Sequence, residues 1–362
     1  MARLGSKRGR SLSVARLGRP IGSTPHEDRC IGCLLGCACG DILGADFEFK
    51  SRSEIIRDCG GPSGLVDPHR RLSGRYTDDT EMTLALASSL IECGRLDVAH
   101  CATTYAGFFA SEPHRGYGPA VSKVLTMLCR GADYRTTGRA IYPEGSFANG
   151  GAMRIAPVGL VFRHAGDQTL REAVRLALLC THVHPDAVDG AFAQAKAVAE
   201  LAMTEDLNGF DGETLLSELQ STAQGHVLSD KLGLVETALA NAWPEERLLA
   251  SVCTPNEYGA QFQIHAAEAV CCALWAFLRY FREPEQCVIQ AVALGGDTDT
   301  VAAMAGALTG ALHGTAWIPQ PWYDDMENEP EIGRDYITQT ARQLAKLDLR
   351  TIATEHSLNP GV

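Results

Sequence analysis

Apolar side chains return at helical spacing along most of the chain. Over residues 82–93, Met82, Leu84, Leu86, Leu90 and Ile91 build such a run, and Gly94 follows as a stop signal. Similar runs over 119–129, 170–180, 187–203, 213–220, 230–242, 263–281, 301–313 and 334–348 predict further helices. Strict alternation of apolar and polar residues, the mark of a half-buried strand, is scarce. Alanine is abundant, as expected where helices pack closely. No Pro/Gly/Ser-rich linker and no fixed repeat interrupts the pattern, so residues 27–350 are expected to form one large all-α domain. The ends read differently. Residues 1–26 lack sustained apolar periodicity and suit either a disordered tail or an organellar presequence, and residues 351–362 read as a loose end.

Composition narrows the class. Hydrophobic residues at 45% and charged residues at 21% over 362 positions are globular values that argue against disorder or a fibre. No stretch approaches the roughly 18 uncharged apolar residues of a bilayer crossing, which predicts a soluble protein without a membrane partner. Thirteen cysteines, an odd number without a secretory leader, predict a reduced intracellular protein, cytoplasmic or nuclear, with mitochondrial import open through the basic N-terminus. Cys30, Cys33 and Cys37 recur at helical spacing among Ile31, Leu34 and Leu35. With Cys39 they read as small buried hydrophobes rather than as ligands of zinc or an iron–sulfur cluster.

Charge adds a constraint. The chain carries −12, and residues 1–26 hold six basic side chains and no acid, which leaves −18 on the remainder. Such a body repels nucleic-acid phosphates, so no direct nucleic-acid partner is expected. An anionic ligand would have to be held by local donors or by metal ions.

Two acidic motifs stand at predicted helix starts: Tyr76-Thr77-Asp78-Asp79-Thr80-Glu81 before the 82–93 run, and Gly295-Gly296-Asp297-Thr298-Asp299-Thr300 before the run at Val301. Each has the form of an N-terminal cap, whose Asp or Thr oxygen accepts from free backbone N–H groups. One cap needs one acceptor, yet each motif supplies two carboxylates and at least one hydroxyl. Packed carboxylates repel one another unless a cation or proton intervenes. Aspartate and threonine oxygens are hard donors, the ligand set of Mg²⁺, Mn²⁺ or Ca²⁺. Asp79 and Asp297 lie 218 positions apart, so their meeting depends on the fold. A third acidic element is Gly40-Asp41-Ile42-Leu43-Gly44-Ala45-Asp46-Phe47-Glu48. Its glycines are expected to break a helix and leave Glu48 on a loop, where neighbouring acids should raise its pKa.

In this order the three elements resemble the ADP-ribosylglycohydrolase family, over nearly all of residues 28–348. Arg115-Gly116-Tyr117-Gly118 and the segment Gly145-Ser146-Phe147-Ala148-Asn149-Gly150-Gly151-Ala152-Met153-Arg154 are similar to the serine-specific, poly(ADP-ribose)-cleaving branch. The resemblance implies an all-α orthogonal bundle and two bound Mg²⁺, with Mn²⁺ as a substitute. One ion would be held by Thr77, Asp78 and Asp79, the other by Asp297, Asp299 and Thr300. Glu48 would be a mobile catalytic carboxylate able to reach a metal, acting with Asp78, Asp79 and Asp297. ADP-ribose would meet Gly116, Tyr117, Gly118, Glu144, Gly145, Ser146, Phe147, Ala148, Asn149, Gly150, His182 and Ile264. The implied partners are ADP-ribosylated proteins, ADP-ribose or poly(ADP-ribose), in processes such as the DNA damage response, and a monomer is the default state. The branch usually has Ser-Tyr-Gly-Asn where this chain has Ser146-Phe147-Ala148-Asn149, which leaves the acceptor open among serine, arginine, polymer and an acetyl ester.

Backbone N–H groups of the Gly/Ser/Asn loop 145–151 can cradle a pyrophosphate without net charge, which reconciles an anionic ligand with an acidic protein. Other classes fit less well. Asp297-Thr298-Asp299-Thr300-Val301 matches the nucleophile motif of haloacid-dehalogenase-type phosphatases, but only 61 residues follow it and its surroundings are helical. An EF-hand is excluded, since Val301 occupies the third ligand position. A non-catalytic, ADP-ribose-binding descendant of the fold would be expected to have lost metal aspartates, and all four are present.

Overall fold

A computed structural model describes residues 20–67, 73–257, 259–330 and 332–352. Helices dominate them. The first group is α1 (Pro25–Ala45), α2 (Arg52–Cys59), α3 (Asp78–Cys93), α4 (Val98–Ser111), α5 (Pro119–Cys129) and α6 (Tyr134–Thr137). Next come α7 (Ala156–Val161), α8 (Asp167–Leu178), α9 (Pro185–Met203), α10 (Gly212–Thr222), α11 (His226–Ala240) and α12 (Glu245–Val252). The last group is α13 (Ala266–Tyr280), α14 (Pro284–Ala293), α15 (Thr298–His313), α16 (Gln320–Asp325) and α17 (Arg334–Leu344). The single hairpin among the described residues pairs β1 (Asn328–Glu329) with β2 (Ile332–Gly333) in antiparallel register. The expected all-α class therefore holds. Of the two ends set apart by composition, residues 1–19 and 353–362 lie outside the described residues.

The centre of the fold is the pair α1 and α15, buried almost throughout their length. Helix α1 begins where Thr24 Oγ1 accepts from the Glu27 N–H (3.1 Å) and Pro25 supplies a preset φ. Gly32, Gly36, Gly40 and Gly44 then fall four apart, on one face. That face meets α15 backbone to backbone. A Cβ on Gly36 would stand 2.2 Å from the Gly306 carbonyl oxygen, and one on Gly40 would stand 2.0 Å from that of Ala302. The expectation that Gly40 and Gly44 break a helix is thus overturned: α1 runs through both to Ala45. Their missing side chains are what lets a second helix approach, and that packing outweighs the modest propensity cost of glycine.

Contacts at Gly32 with Gly314 and at Gly44 with Asp299 make the two helices antiparallel. Both ends are fastened. Asp28 accepts from the Thr315 N–H (3.1 Å) and hydroxyl (2.8 Å), while the Thr298 hydroxyl donates to the Gly44 carbonyl (2.8 Å). The end of α1 therefore sits at the start of α15. Cys30, Cys33, Cys37 and Cys39 are packed inside α1's surroundings as the pattern suggested, and burial raises all four thiol pKa values.

Two expected helical runs are shorter than their apolar pattern. The run at 263–281 begins only at Ala266, because Gln263 takes a left-handed φ of 50° and the following residues pair with another segment. There Asn149 N–H donates to the Ile264 carbonyl (2.9 Å) and Ala266 N–H to that of Phe147 (3.1 Å). The run at 334–348 ends at Leu344.

The glycine seam yields a stability prediction. Gly36→Ala should lower unfolding free energy by about 2 kcal/mol or more, since its Cβ meets backbone that cannot swing away. Gly107→Ala, inside α4 with open space around it, should raise stability by roughly 0.5–1 kcal/mol. Urea denaturation of the two variants measures both signs.

Candidate active site

Glu48 stands three residues beyond the end of α1, in a turn. Its flanks are tied to the second acidic motif: Phe49 N–H donates to the Gly296 carbonyl (2.7 Å), and Gly296 N–H donates to that of Lys50 (2.8 Å). Gly295 and Gly296 adopt φ values of 78° and 88°, and a Cβ on Gly296 would fall 1.9 Å from Gln263 Oε1. Only glycine meets both demands. Glu48 is thereby carried to the start of α15.

Helix α3 brings the other acids. Thr77 Oγ1 caps it by accepting from the Asp79 N–H, and donates in turn to Asp79 Oδ2 (3.2 Å). The loop before it is clamped by Arg115, which donates to Glu327 Oε1 (2.6 Å) and the Tyr76 carbonyl (2.9 Å) while lying over the Tyr76 ring. The two motifs do meet. Thr300 Oγ1 donates to Asp79 Oδ2 (3.3 Å), and carboxylate oxygens of Glu48, Asp297 and Asp299 lie within 4.8 Å of one another. Asp297 occupies the cap position of α15 without capping it, and instead accepts from Asn149 Nδ2 (2.7 Å). Asp78 lines the same cleft.

Burial, followed by mutual repulsion, raises these carboxyl pKa values. Glu48 is pushed up to about 7 by burial and then by the charges of Asp299 and Asp41, and Asp79 and Asp299 lie well above the usual range. Asp41, buried in α1, supports the cluster from beneath by accepting from the Thr77 and Thr80 N–H groups (2.8 and 3.0 Å) and the Thr80 hydroxyl (2.6 Å). One oxygen is left over: Asp79 Oδ1 is buried with no hydrogen-bond partner among the described residues. An unpaired buried oxygen among crowded, oxygen-only donors fits a hard divalent cation, which would supply the missing partner and offset the repulsion.

The acids form one wall of a cleft of about 370 Å³. Of the residues named by the resemblance, Gly116, Gly118, Ser146, Ala148, Asn149, Gly150, His182 and Ile264 line it, together with Glu48, Asp79, Asp297, Asp299 and Thr300. Four expected contacts are not on its wall. Tyr117 turns inward, edge-on to Phe109 at 5.0 Å, because its ring completes the apolar packing of α4. Glu144 points to solvent, and Gly145 is covered by Val183 and His184, where a Cβ would lie 2.6 Å from the His184 nitrogen. Phe147, half exposed, stacks on His265 at 5.2 Å instead of facing inward. Lining residues that sequence reasoning missed include Phe49, Met82, Tyr142 and Arg154. The left-handed φ of 61° at Phe49 had no signal in the pattern, whereas Arg154 is a charge inside an apolar run.

The family match covers residues 22–353, under the description ADP-ribosylglycohydrolase. The chain belongs to the ADP-ribosylglycohydrolase family. It is 30% identical over 356 residues to ADP-ribosylhydrolase ARH3 of Bos taurus, covering 91% of this chain and 96% of that protein. The mouse ARH3 (Mus musculus) is 32% identical over 340 residues, with 86% and 90% covered. ADP-ribosyl-(dinitrogen reductase) glycohydrolase of Rhodospirillum rubrum is 30% identical, with 89% and 98% covered. Among solved structures, a chain of an ADP-ribosylglycohydrolase-related protein complex superposes with a TM-score of 0.65 at 27% identity, covering 90% of this chain and 99% of that one.

For this member of the ADP-ribosylglycohydrolase family, the acid cluster predicts a linkage between pH and cation binding. A carboxyl whose folded pKa is raised, as for Glu48 from 4.5 to about 7, stabilises the fold at low pH and loses that contribution as pH rises through 7. A divalent cation removes the penalty. Saturating Mg²⁺ or Mn²⁺ should therefore raise the thermal midpoint by roughly 3–6 °C at pH 7.5, and by less at pH 5.5. Scanning calorimetry with and without the ion checks it, and Asp299→Ala should abolish the increment.

Proposed function

We propose that this chain is a Mg²⁺-dependent hydrolase that cleaves the glycosidic bond joining ADP-ribose to an acceptor. Serine is the first acceptor, with poly(ADP-ribose) and O-acetyl-ADP-ribose as related substrates. The observation that carries the reading is the meeting of Asp78–Asp79, Asp297–Asp299 and Glu48 on one wall of a cleft whose other wall is the 146–150 loop. Thr77, Asp78 and Asp79 would hold one ion and Asp297, Asp299 and Thr300 the other. Bound there, the ions would orient ribose hydroxyls and sharpen the acidity of a water.

The chain's own groups do the rest. Hydrolysis at the anomeric carbon passes through an oxocarbenium-like transition state, which a nearby carboxylate stabilises. Glu48 is suited to move a proton, because its pKa near 7 lets it exist in both forms at neutral pH. Its turn is held from both sides by Phe47, buried in the core, and by the Phe49 N–H bond to Gly296, so the carboxyl has a defined origin from which to reach. Backbone groups of the 146–150 loop receive the diphosphate, and His182 faces it from the same wall. The acidic body needs no basic groove for this ligand.

A second reading is cleavage of arginine-linked ADP-ribose. It is favoured by equal identity to the Rhodospirillum rubrum relative, whose name gives dinitrogen reductase as the modified protein, and by Phe147 and Ala148 standing where the serine-specific branch has Tyr-Gly. Hydrolysis of serine-linked against arginine-linked ADP-ribosyl peptides, with Mg²⁺ and after chelation, separates the two. Release of ADP-ribose from the serine peptide alone, lost on chelation, is expected. Undiminished turnover in the chelated enzyme would contradict the reading. Glu48→Gln should lower kcat by about 10²–10⁴-fold in the same assay without lowering the thermal midpoint, since the neutral amide carries no buried charge.

A further inference from the structure

Arg154 is 0% exposed and lies behind the 146–150 loop, just before α7. It makes no ion pair among the described residues. Its partners are neutral: Nη1–H donates to the Gly150 carbonyl (2.7 Å), Nη2–H donates to Thr181 Oγ1 (2.5 Å), and the guanidinium lies 4.7 Å from the Tyr105 ring centre. Nε is buried with no hydrogen-bond partner among the described residues. Burying a cation without a carboxylate is costly. Among the described residues Arg154 is also the sole Lys or Arg lining the cleft, which it shares with Glu48, Asp78, Asp79, Asp297 and Asp299. Five carboxylates and one cation without a carboxylate partner thus line the same cleft.

The same side chain decides how His182 is protonated. Arginine only donates, so Thr181 Oγ1 must accept from it and has one hydrogen left to place. Two acceptors are near: His182 Nδ1 at 3.0 Å and the Leu178 carbonyl at 3.4 Å. The carbonyl already accepts the N–H groups of Thr181 and His182, both at 2.9 Å. The alternative, Nδ1–H donating to the second Oγ1 lone pair, would send the hydroxyl hydrogen to that crowded carbonyl at 3.4 Å. The shorter contact therefore favours the hydroxyl hydrogen on Nδ1 and the imidazole hydrogen on Nε2. The Nε2–Cε1 edge lies against Gly150, where even a Cβ would stand only 3.0 Å away, at the wall of the cleft.

We propose that Arg154 is a positioning residue which, through Thr181, fixes His182 as a neutral Nε2–H donor aimed at an anionic oxygen of the ligand. The ligand part of this inference rests on the proposed ADP-ribose reading, where that oxygen belongs to the diphosphate. The tautomer part stands on the Arg154–Thr181–His182 geometry alone. Burial, and then the Arg154 charge, lower the His182 pKa to about 3, consistent with an imidazole that stays neutral. His182 then binds by donation rather than by charge, and does not serve as a proton shuttle.

Long-range ¹H–¹⁵N spectra of the ¹⁵N-histidine-labelled full chain test this, with His182 assigned by the signal missing in His182→Gln. The wild type should show the Nε2–H tautomer, unchanged from pH 7.5 to 5.5. Thr181→Val, nearly isosteric but without the hydroxyl, should release the tautomer and weaken ADP-ribose binding about tenfold by calorimetry. Thr181→Ser should restore both. An Nδ1–H or protonated His182 in the wild type overturns the proposal, as does a Thr181→Val protein with unchanged tautomer and affinity. A wild type that shows the Nε2–H tautomer but binds no ADP-ribose upholds the relay and overturns the proposed function instead.

Discussion

Along the contact of α1 with α15, glycine carbonyls of one helix lie where side chains of the other would stand. The acid cluster depends on that approach. Because the helices are antiparallel and in backbone contact, the last turn of α1 meets the first turn of α15, and Asp41, Glu48, Asp297 and Asp299 share one end of the pair. Thr298, bonded to the Gly44 carbonyl, fixes the register there. A separation of even one methyl group along the seam would move Glu48 relative to Asp297 by more than a hydrogen bond tolerates. Packing far from the cleft thus sets the geometry inside it.

Electrostatics follow from the same arrangement. Two helix N-termini, those of α3 and α15, point their partial positive charge at the acids, and this offsets part of the repulsion. Asp41 adds its own charge to that repulsion, but by accepting from the first turn of α3 it rigidifies the loop that carries Thr77 and Asp78. The residue is visible in the raised carboxyl pKa values and in the unpartnered oxygen of Asp79. Arg154 adds one cation to the lining of the same cleft. In the proposed reading, a protein whose body carries strong negative charge would accept a doubly anionic nucleotide sugar through local donors at this one spot.

Much of this was legible before the fold. The helix starts at Thr77 and Asp297 could be read from Asp and Thr clusters preceding apolar runs, and surplus carboxylates marked them as more than caps, although Asp297 makes no capping bond. The resemblance then named the 144–150 loop and His182, of which Ser146, Ala148, Asn149, Gly150 and His182 line the cleft. What could not be read depends on partners distant in the chain. Gly40 and Gly44 look like helix breakers until Ala302 and Asp299 arrive against them. The apolar run before Ala266 hides a left-handed Gln263, because the pairing of 147–149 with 264–266 is a tertiary event. Tyr117 and Phe147 belong to the right segments but turn away from the cleft, since ring orientation is decided by Phe109 and His265. Arg154 was in view as a charge within an apolar stretch, yet its meaning came only with Thr181 beside it.

The central claim is that acids from positions 78–79 and 297–299 jointly cage divalent cations beside the cleft. Anomalous diffraction from crystals grown with Mn²⁺, recorded near the manganese edge, addresses it most directly. Two peaks between Asp79, Asp297 and Asp299, with Thr77 and Thr300 oxygens within coordination distance, are predicted. Manganese bound only elsewhere on the protein, with no anomalous density among these aspartates, would contradict it.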